Sequence, residues 1–157
     1  MTTATHHETS GPSLTRVAVS ATLHCLTGCA IGEVLGMVIG TALGWGDWST
    51  VALAVALAFV FGYALTVGPV LRSGLTFGAA VKVALAADTV SILVMEVVDN
   101  AVLLTVPGAM EAGLDSALFW GSLALALAVA FVVTVPVNRA MIARGRGRGH
   151  AVVHGMH

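Results

Sequence analysis

His24, Cys25, Cys29, Glu33 and Met37 fall within one apolar stretch, and each of these side chains can ligate a metal ion. Four residues advance a helix by about 400°, so the row Cys25, Cys29, Glu33, Met37 drifts only about 40° per step and keeps to one side. With His24 the set occupies a sector of about 140°. Thiols, thioethers and imidazole are soft or borderline donors that favour Cu(I), with zinc or iron as further candidates, and Glu33 adds a harder oxygen. Directly beside this row lie Gly28, Gly32, Gly36, Gly40 and Gly44. A small residue every fourth position lets a second helix approach closely, and such a ridge is expected to pack helices and to support a homodimer.

A second stretch supplies an opposite wall. With Asp88 set at 0° on a helical wheel, Met95 falls at about -20°, Asp99 at about +20°, Glu96 at about 80° and Asn100 at about 120°. Counting from the middle of each apolar run puts Cys29 and Glu33 level with Met95, Glu96 and Asp99, and His24 level with Asp88. Four of the eight acidic residues, Glu33, Asp88, Glu96 and Asp99, thus sit inside two apolar runs. An ionisable group there costs about 2.5–3.5 kcal/mol on insertion scales, so four without a task are not expected. The candidate ligands are His24, Cys25, Cys29, Glu33, Met37, Met95, Glu96 and Asp99; Asp88 and Asn100 are candidates for moving protons or balancing charge.

The elements that must position these groups follow from composition. Of 157 residues 57% are hydrophobic and only 10% charged, and the mean hydropathy is +0.95. A water-soluble globule cannot be covered with so little charge. The reading is an all-α, polytopic membrane protein with four helices over 17–43, 51–71, 83–106 and 117–137, each near the ~20 residues that a span requires. Residues 1–16 read as a disordered polar arm and 140–157 as an Arg/Gly/His-rich tail. The first stretch is too long, and too polar at His24 and Glu33, for a cleaved signal peptide. Helices 2 and 4 read as lipid-facing scaffold with few polar groups at depth: Tyr63, Thr66, Ser122 and Thr134.

All seven basic residues lie in the arm (Arg16), in or near the second connection (Arg72, Lys82) or toward the C-terminus (Arg139, Arg144, Arg146, Arg148), whereas Asp47, Glu111 and Asp115 lie in the first and third connections. By the positive-inside rule both termini are expected to be cytoplasmic, in the inner (plasma) membrane of a cell. The basic run at the C-terminus is too short to suggest nucleic-acid binding. Short matches relate the two halves: Glu33-Val34 to Glu96-Val97, and Thr66-Val67-Gly68-Pro69 to Thr134-Val135-Pro136. They suggest two similar helical hairpins side by side. His6, His7, His150, His154 and His157 could collect borderline ions at the cytoplasmic face.

The string His24-Cys25-x-x-Gly28-Cys29-x-x-Gly32-Glu33, together with Met95-Glu96-x-x-Asp99-Asn100 and the ending from Pro136, resembles a domain-of-unknown-function family (DUF4396-like) of small bacterial integral membrane proteins. The resemblance covers about residues 17 to 148 and implies a membrane fold without an activity. From the residues themselves, the leading expectation is a transition-metal-binding or transport protein, more a binding protein than an enzyme. The alternatives are a membrane redox or di-metal enzyme, a proton- or cation-coupled carrier of a small solute, and an assembly subunit. No phosphate loop, dinucleotide motif or nucleophile–base triad is present in the sequence.

Overall fold

The computed structural model describes residues 13–144, and the tail histidines, His6 and His7 lie outside them. Four long helices fill this span: α1 (Leu14–Ala42), α2 (Asp47–Arg72), α3 (Phe77–Thr105) and α4 (Ala117–Ala143). Side-chain caps start three of them. The Ser13, Thr76 and Ser116 hydroxyls accept from the backbone N–H groups of Arg16, Ala79 and Leu118 respectively, satisfying donors that the first turn leaves free. Gly44 and Gly74 have positive φ, of 67° and 96°, and turn the chain between the first and second pairs of helices.

Four boundaries differ from the sequence reading, the start of α2 at Asp47 rather than 51 among them. α1 begins inside the segment assigned to the polar arm, because Ser13 caps it. α3 begins at Phe77 rather than 83, because Thr76 provides a cap six residues earlier. α4 runs past Pro136 to Ala143 and α2 contains Pro69. Proline removes one N–H and crowds the preceding turn, but neighbouring helices hold a bundled helix through that defect. Pro107 lies beyond the end of α3, which is unbroken to Thr105.

Around the bundle the order is α1, α2, α3, α4, with α1 and α3 also in contact across the middle. Adjacent helices are antiparallel, so α1 and α3 are parallel. The α1–α2 seam is the most extensive. A Cβ placed on Gly28 would lie 2.7 Å from the Gly62 Cα, and one on Gly36 would lie 2.5 Å from the Ala54 Cα. At Gly32 and Gly40 it would collide with Ala58 and Thr50. The buried positions of α2, from Thr50 through Ala54, Ala58, Gly62 and Thr66 to Val70, repeat every fourth residue and mesh with this row. The glycine ridge expected to support a homodimer is therefore covered by α2 of the same chain.

The outer surface is apolar. Val60, Val97, Val132 and Leu125 are all more than half exposed, as the lipid-facing side of a bundle would be. α1, α2 and α4 are long and apolar enough to cross a membrane. α3 is as long as α1, and it carries Lys82, exposed, with Asp88, Glu96 and Asp99, buried. Trp45, Trp48 and Trp120 gather at the end of the bundle where α2 and α4 begin, where an interfacial aromatic belt would lie.

The tight seam makes a direct prediction. Gly32→Ala forces a methyl into the α2 backbone and should destabilise the fold by roughly 1–3 kcal/mol, the usual penalty of overpacking. Gly68→Ala on α2 meets nothing within 4 Å and should be neutral or stabilising by up to about 1 kcal/mol. Thermal unfolding in detergent, followed by size-exclusion chromatography, separates the two.

Candidate functional site

Where α1 meets α3, three levels of polar contact are stacked along the bundle axis. At the first, Cys25 Sγ–H donates to Asp88 Oδ1 at 3.6 Å, and both residues are fully buried. One turn farther, the Cys29 Sγ–H is directed to the Met95 Sδ at 3.9 Å, with both side chains almost wholly buried. Ile92 lies between these levels and packs with both cysteines and Met95. At the third level Glu33 lies beside Asp99 and near Glu96. Cys29 also lies within electrostatic reach of all three carboxyl groups.

Helical register explains the alignment. Cys25, Cys29 and Glu33 are four apart on α1, and Asp88, Met95 and Asp99 are seven and four apart on α3, spacings that return to nearly the same face. The level assignments made from sequence are reproduced for Cys29 and Met95 and for Glu33 and Asp99. Cys25 is one partner of Asp88 on α1. His24 is half-buried.

The third level is unusual in its hydrogen bonding. Glu33, Glu96 and Asp99 are 7%, 5% and 2% exposed. Glu33 Oε2, Glu96 Oε1 and both carboxylate oxygens of Asp99 have no hydrogen-bond partner. Glu96 Oε2 accepts from Asn100 Nδ2 at 3.5 Å, and the same Nδ2 donates to the Glu96 backbone carbonyl at 2.8 Å. Asn100 thus braces Glu96. Glu33, Met37, Glu96 and Asn100 line a cavity of about 260 Å³ that extends toward the α1–α2 and α3–α4 connections.

Among the described residues no three His, Cys, Asp or Glu side chains form a ready-made metal cage. The candidates come together as pairs, with a thioether completing one of them. Cys25 and Cys29 are both free thiols, directed to different partners on α3.

One buried network escaped the sequence reading. Asn138 of α4 donates through Nδ2 to Thr22 Oγ1 at 2.9 Å and its carbonyl accepts from the Ser91 hydroxyl. Thr22 in turn donates to the Ala18 carbonyl at 2.7 Å. This network ties α1, α3 and α4 together, with Thr22 about one turn before Cys25 on α1 and Ser91 about one turn after Asp88 on α3. Asn138 stands beside Arg139 near the polar end of the chain, which hid it; its place four residues after Thr134 on the buried stripe of α4 is the signal that could have found it. Thr66, Ser122 and Thr134 are also buried rather than lipid-facing, and Tyr63 hydrogen-bonds Thr89 at 2.8 Å. Helices α2 and α4 present these polar groups inward on stripes made mostly of small or hydroxylated residues, with Val70, Phe119 and Leu123 buried among them.

The architecture is that of an all-α bundle with apolar outer surfaces and a polar seam between two parallel helices. The family model for the domain of unknown function DUF4396 matches residues 15–147. The chain belongs to the DUF4396 family. No curated protein and no solved structure matches it.

Removing the network should be measurable. Asn138→Leu deletes two interhelical hydrogen bonds, and at about 0.6–1.7 kcal/mol each in a membrane bundle the variant should lose roughly 1–3 kcal/mol of stability. Thermal unfolding of Asn138→Leu beside an exposed control, Val132→Leu, tests this; equal midpoints would show that Asn138 does not hold α4 to the seam.

Proposed function

We propose that the chain is an integral membrane protein with four spanning helices, α3 included, that binds and transports a thiophilic transition-metal cation, Cu(I) being the best match. The observation that carries this reading is the Cys29–Met95 sulfur pair, 3.9 Å apart, lying directly against three buried carboxyl groups with unpartnered oxygens. Thiolate and thioether are the donors that select Cu(I). A soft cation content with few ligands suits a site built of pairs, whereas a zinc or iron site of four or more ligands would require more donors to converge.

The other candidates take supporting roles. Cys25 with Asp88 offers a second station one turn deeper, and Glu33, Glu96 and Asp99 balance the charge and receive the protons that thiols release on binding. Met37 and His24 flank the two ends of the row. The distribution of basic residues supports an inner-membrane protein with both termini cytoplasmic. The parallel course of α1 and α3, each carrying an acidic group near the same level and each followed by an antiparallel partner, supports the reading of two hairpins of one design.

Purified protein exposed to Cu(I) under reducing conditions should retain close to one ion per chain. The Cys25→Ser/Cys29→Ser double variant should retain less than about a tenth of that, and Met95→Leu should weaken binding by about 10–100-fold, the range seen when a site's supporting groups are removed. Elemental analysis and a competition titration with a Cu(I) chelator measure both. Protein that is metal-free and takes up no ion sinks the proposal. The carboxylates favour a second reading, a proton- or cation-coupled carrier; in that case the double variant would keep full activity while Glu33→Gln and Glu96→Gln would lose it.

A further inference from the structure

The cavity that reaches Glu33 and Glu96 has a one-sided geometry. Its deepest wall residues on α1 and α3 are Glu33 and Glu96, each nine residues before its helix ends, so its floor lies about 13 Å below the helix ends at about 1.5 Å per residue. The wall carries four carboxyl groups, Asp47 and Glu111 at the rim and Glu33 and Glu96 at the floor, and no Lys, Arg or His. Both floor residues are more than nine-tenths buried, and each has a carboxylate oxygen without a hydrogen-bond partner. An acidic recess with low-dielectric walls concentrates cations and repels anions.

Below the floor the seam is shut. Cys29, Met95, Ile92, Cys25 and Asp88 are each at most 2% exposed, and the hydrogen bonds of Asn138 to Thr22 and Ser91 tie α1, α3 and α4 together alongside them. The seam is thus open at the end of the α1–α2 and α3–α4 connections and packed at the other. By the charge distribution the open end is the non-cytoplasmic one.

We propose that this cavity is the entrance through which a cation reaches the α1–α3 site from the non-cytoplasmic side, with Glu33 and Glu96 as its first binding station. The inference rests on the cation-binding reading above and adds to it a side, a route and a charge filter. An arriving ion passes the Asp47 and Glu111 rim, exchanges water for the free carboxylate oxygens of Glu33 and Glu96, and is then adjacent to the Cys29–Met95 pair. Neither covalent chemistry nor electron transfer is involved.

The test uses the full-length chain with Cys25→Ser and Cys29→Ser, into which Val55→Cys or Leu103→Cys is introduced on the cavity wall, with Val132→Cys as an apolar outer-face control. Cells and inverted membrane vesicles are treated with membrane-impermeant methanethiosulfonates of opposite charge. The wall cysteines should react in intact cells and not in inverted vesicles, and the cationic reagent should react at least ~10-fold faster relative to its rate with a free thiol, as expected for a focused negative field. Glu33→Gln/Glu96→Gln should reduce that preference. Reaction from the cytoplasmic side, reaction from neither side at both positions, or equal relative rates for the two reagents overturns the entrance. Because this background lacks both cysteines, the result is independent of Cu(I) binding. Loss of the metal reading would appear only in the titration of the unaltered chain.

Discussion

The close approach of α1 to α2 is the constraint on which the rest of the bundle depends. With no hydrophobic force to drive helices together in lipid, packing must come from contact, and contact between backbones requires small residues. Gly28, Gly32, Gly36 and Gly40 provide it, each against a small residue of α2. Their spacing fixes more than one seam. Because they occupy one row of α1, the adjacent row of Cys25, Cys29 and Glu33 is turned toward α3, and Thr22 is left to meet α4. One helix thus presents three different chemistries to three neighbours, and α1 is the hub of the bundle.

This arrangement explains why polar groups are tolerated where they are. Placed on the lipid face, the four acidic groups of α1 and α3 would each incur an insertion penalty of about 2.5–3.5 kcal/mol. Facing inward between two parallel helices, they share one environment. Hydrogen bonding divides them into two kinds. Toward the α1 N-terminus the helices are joined by hydrogen bonds: Asp88 with Cys25, Asn138 with both Thr22 and Ser91. Toward the connections Glu33, Glu96 and Asp99 retain unpartnered oxygens. The first group holds helices together. The second keeps acceptor capacity in reserve, which structural packing alone does not require.

Much of this was legible in the sequence, and for physical reasons. Four apolar runs separated by short connections could only be antiparallel neighbours, and the helical repeat placed Cys29 and Glu33 level with Met95, Glu96 and Asp99 once α1 and α3 were taken as parallel. The glycine row was equally visible, but periodicity cannot say which helix fills it. A ridge for a second copy and a ridge for α2 have the same spacing, and only the matching Thr50, Ala54, Ala58 and Gly62 stripe distinguishes them. Asn138 was missed because proline and arginine on either side imitate the end of a span, and the boundaries of α1 and α3 because a single capping hydroxyl outweighs hydropathy at a helix start. Among the described residues no ready-made cage of three ligands is formed either: wheel angles group residues by sector, whereas coordination requires their tips to meet at one depth.

That last distinction bears on what kind of site the seam forms. A resident structural metal is held by a closed shell of ligands at one level, with few vacant donors. Here the donors are distributed: carboxylates at the cavity floor, a thiol and thioether just beneath, a thiol and carboxylate one turn deeper. Each level is adjacent to the next, and none is complete alone. In the proposed transport reading an ion would pass from each level to the next, as conduction requires of any multi-site path. The same sequence of hard, soft and mixed donors would serve a permanent site poorly. The proposed transport reading accounts for that order of donors.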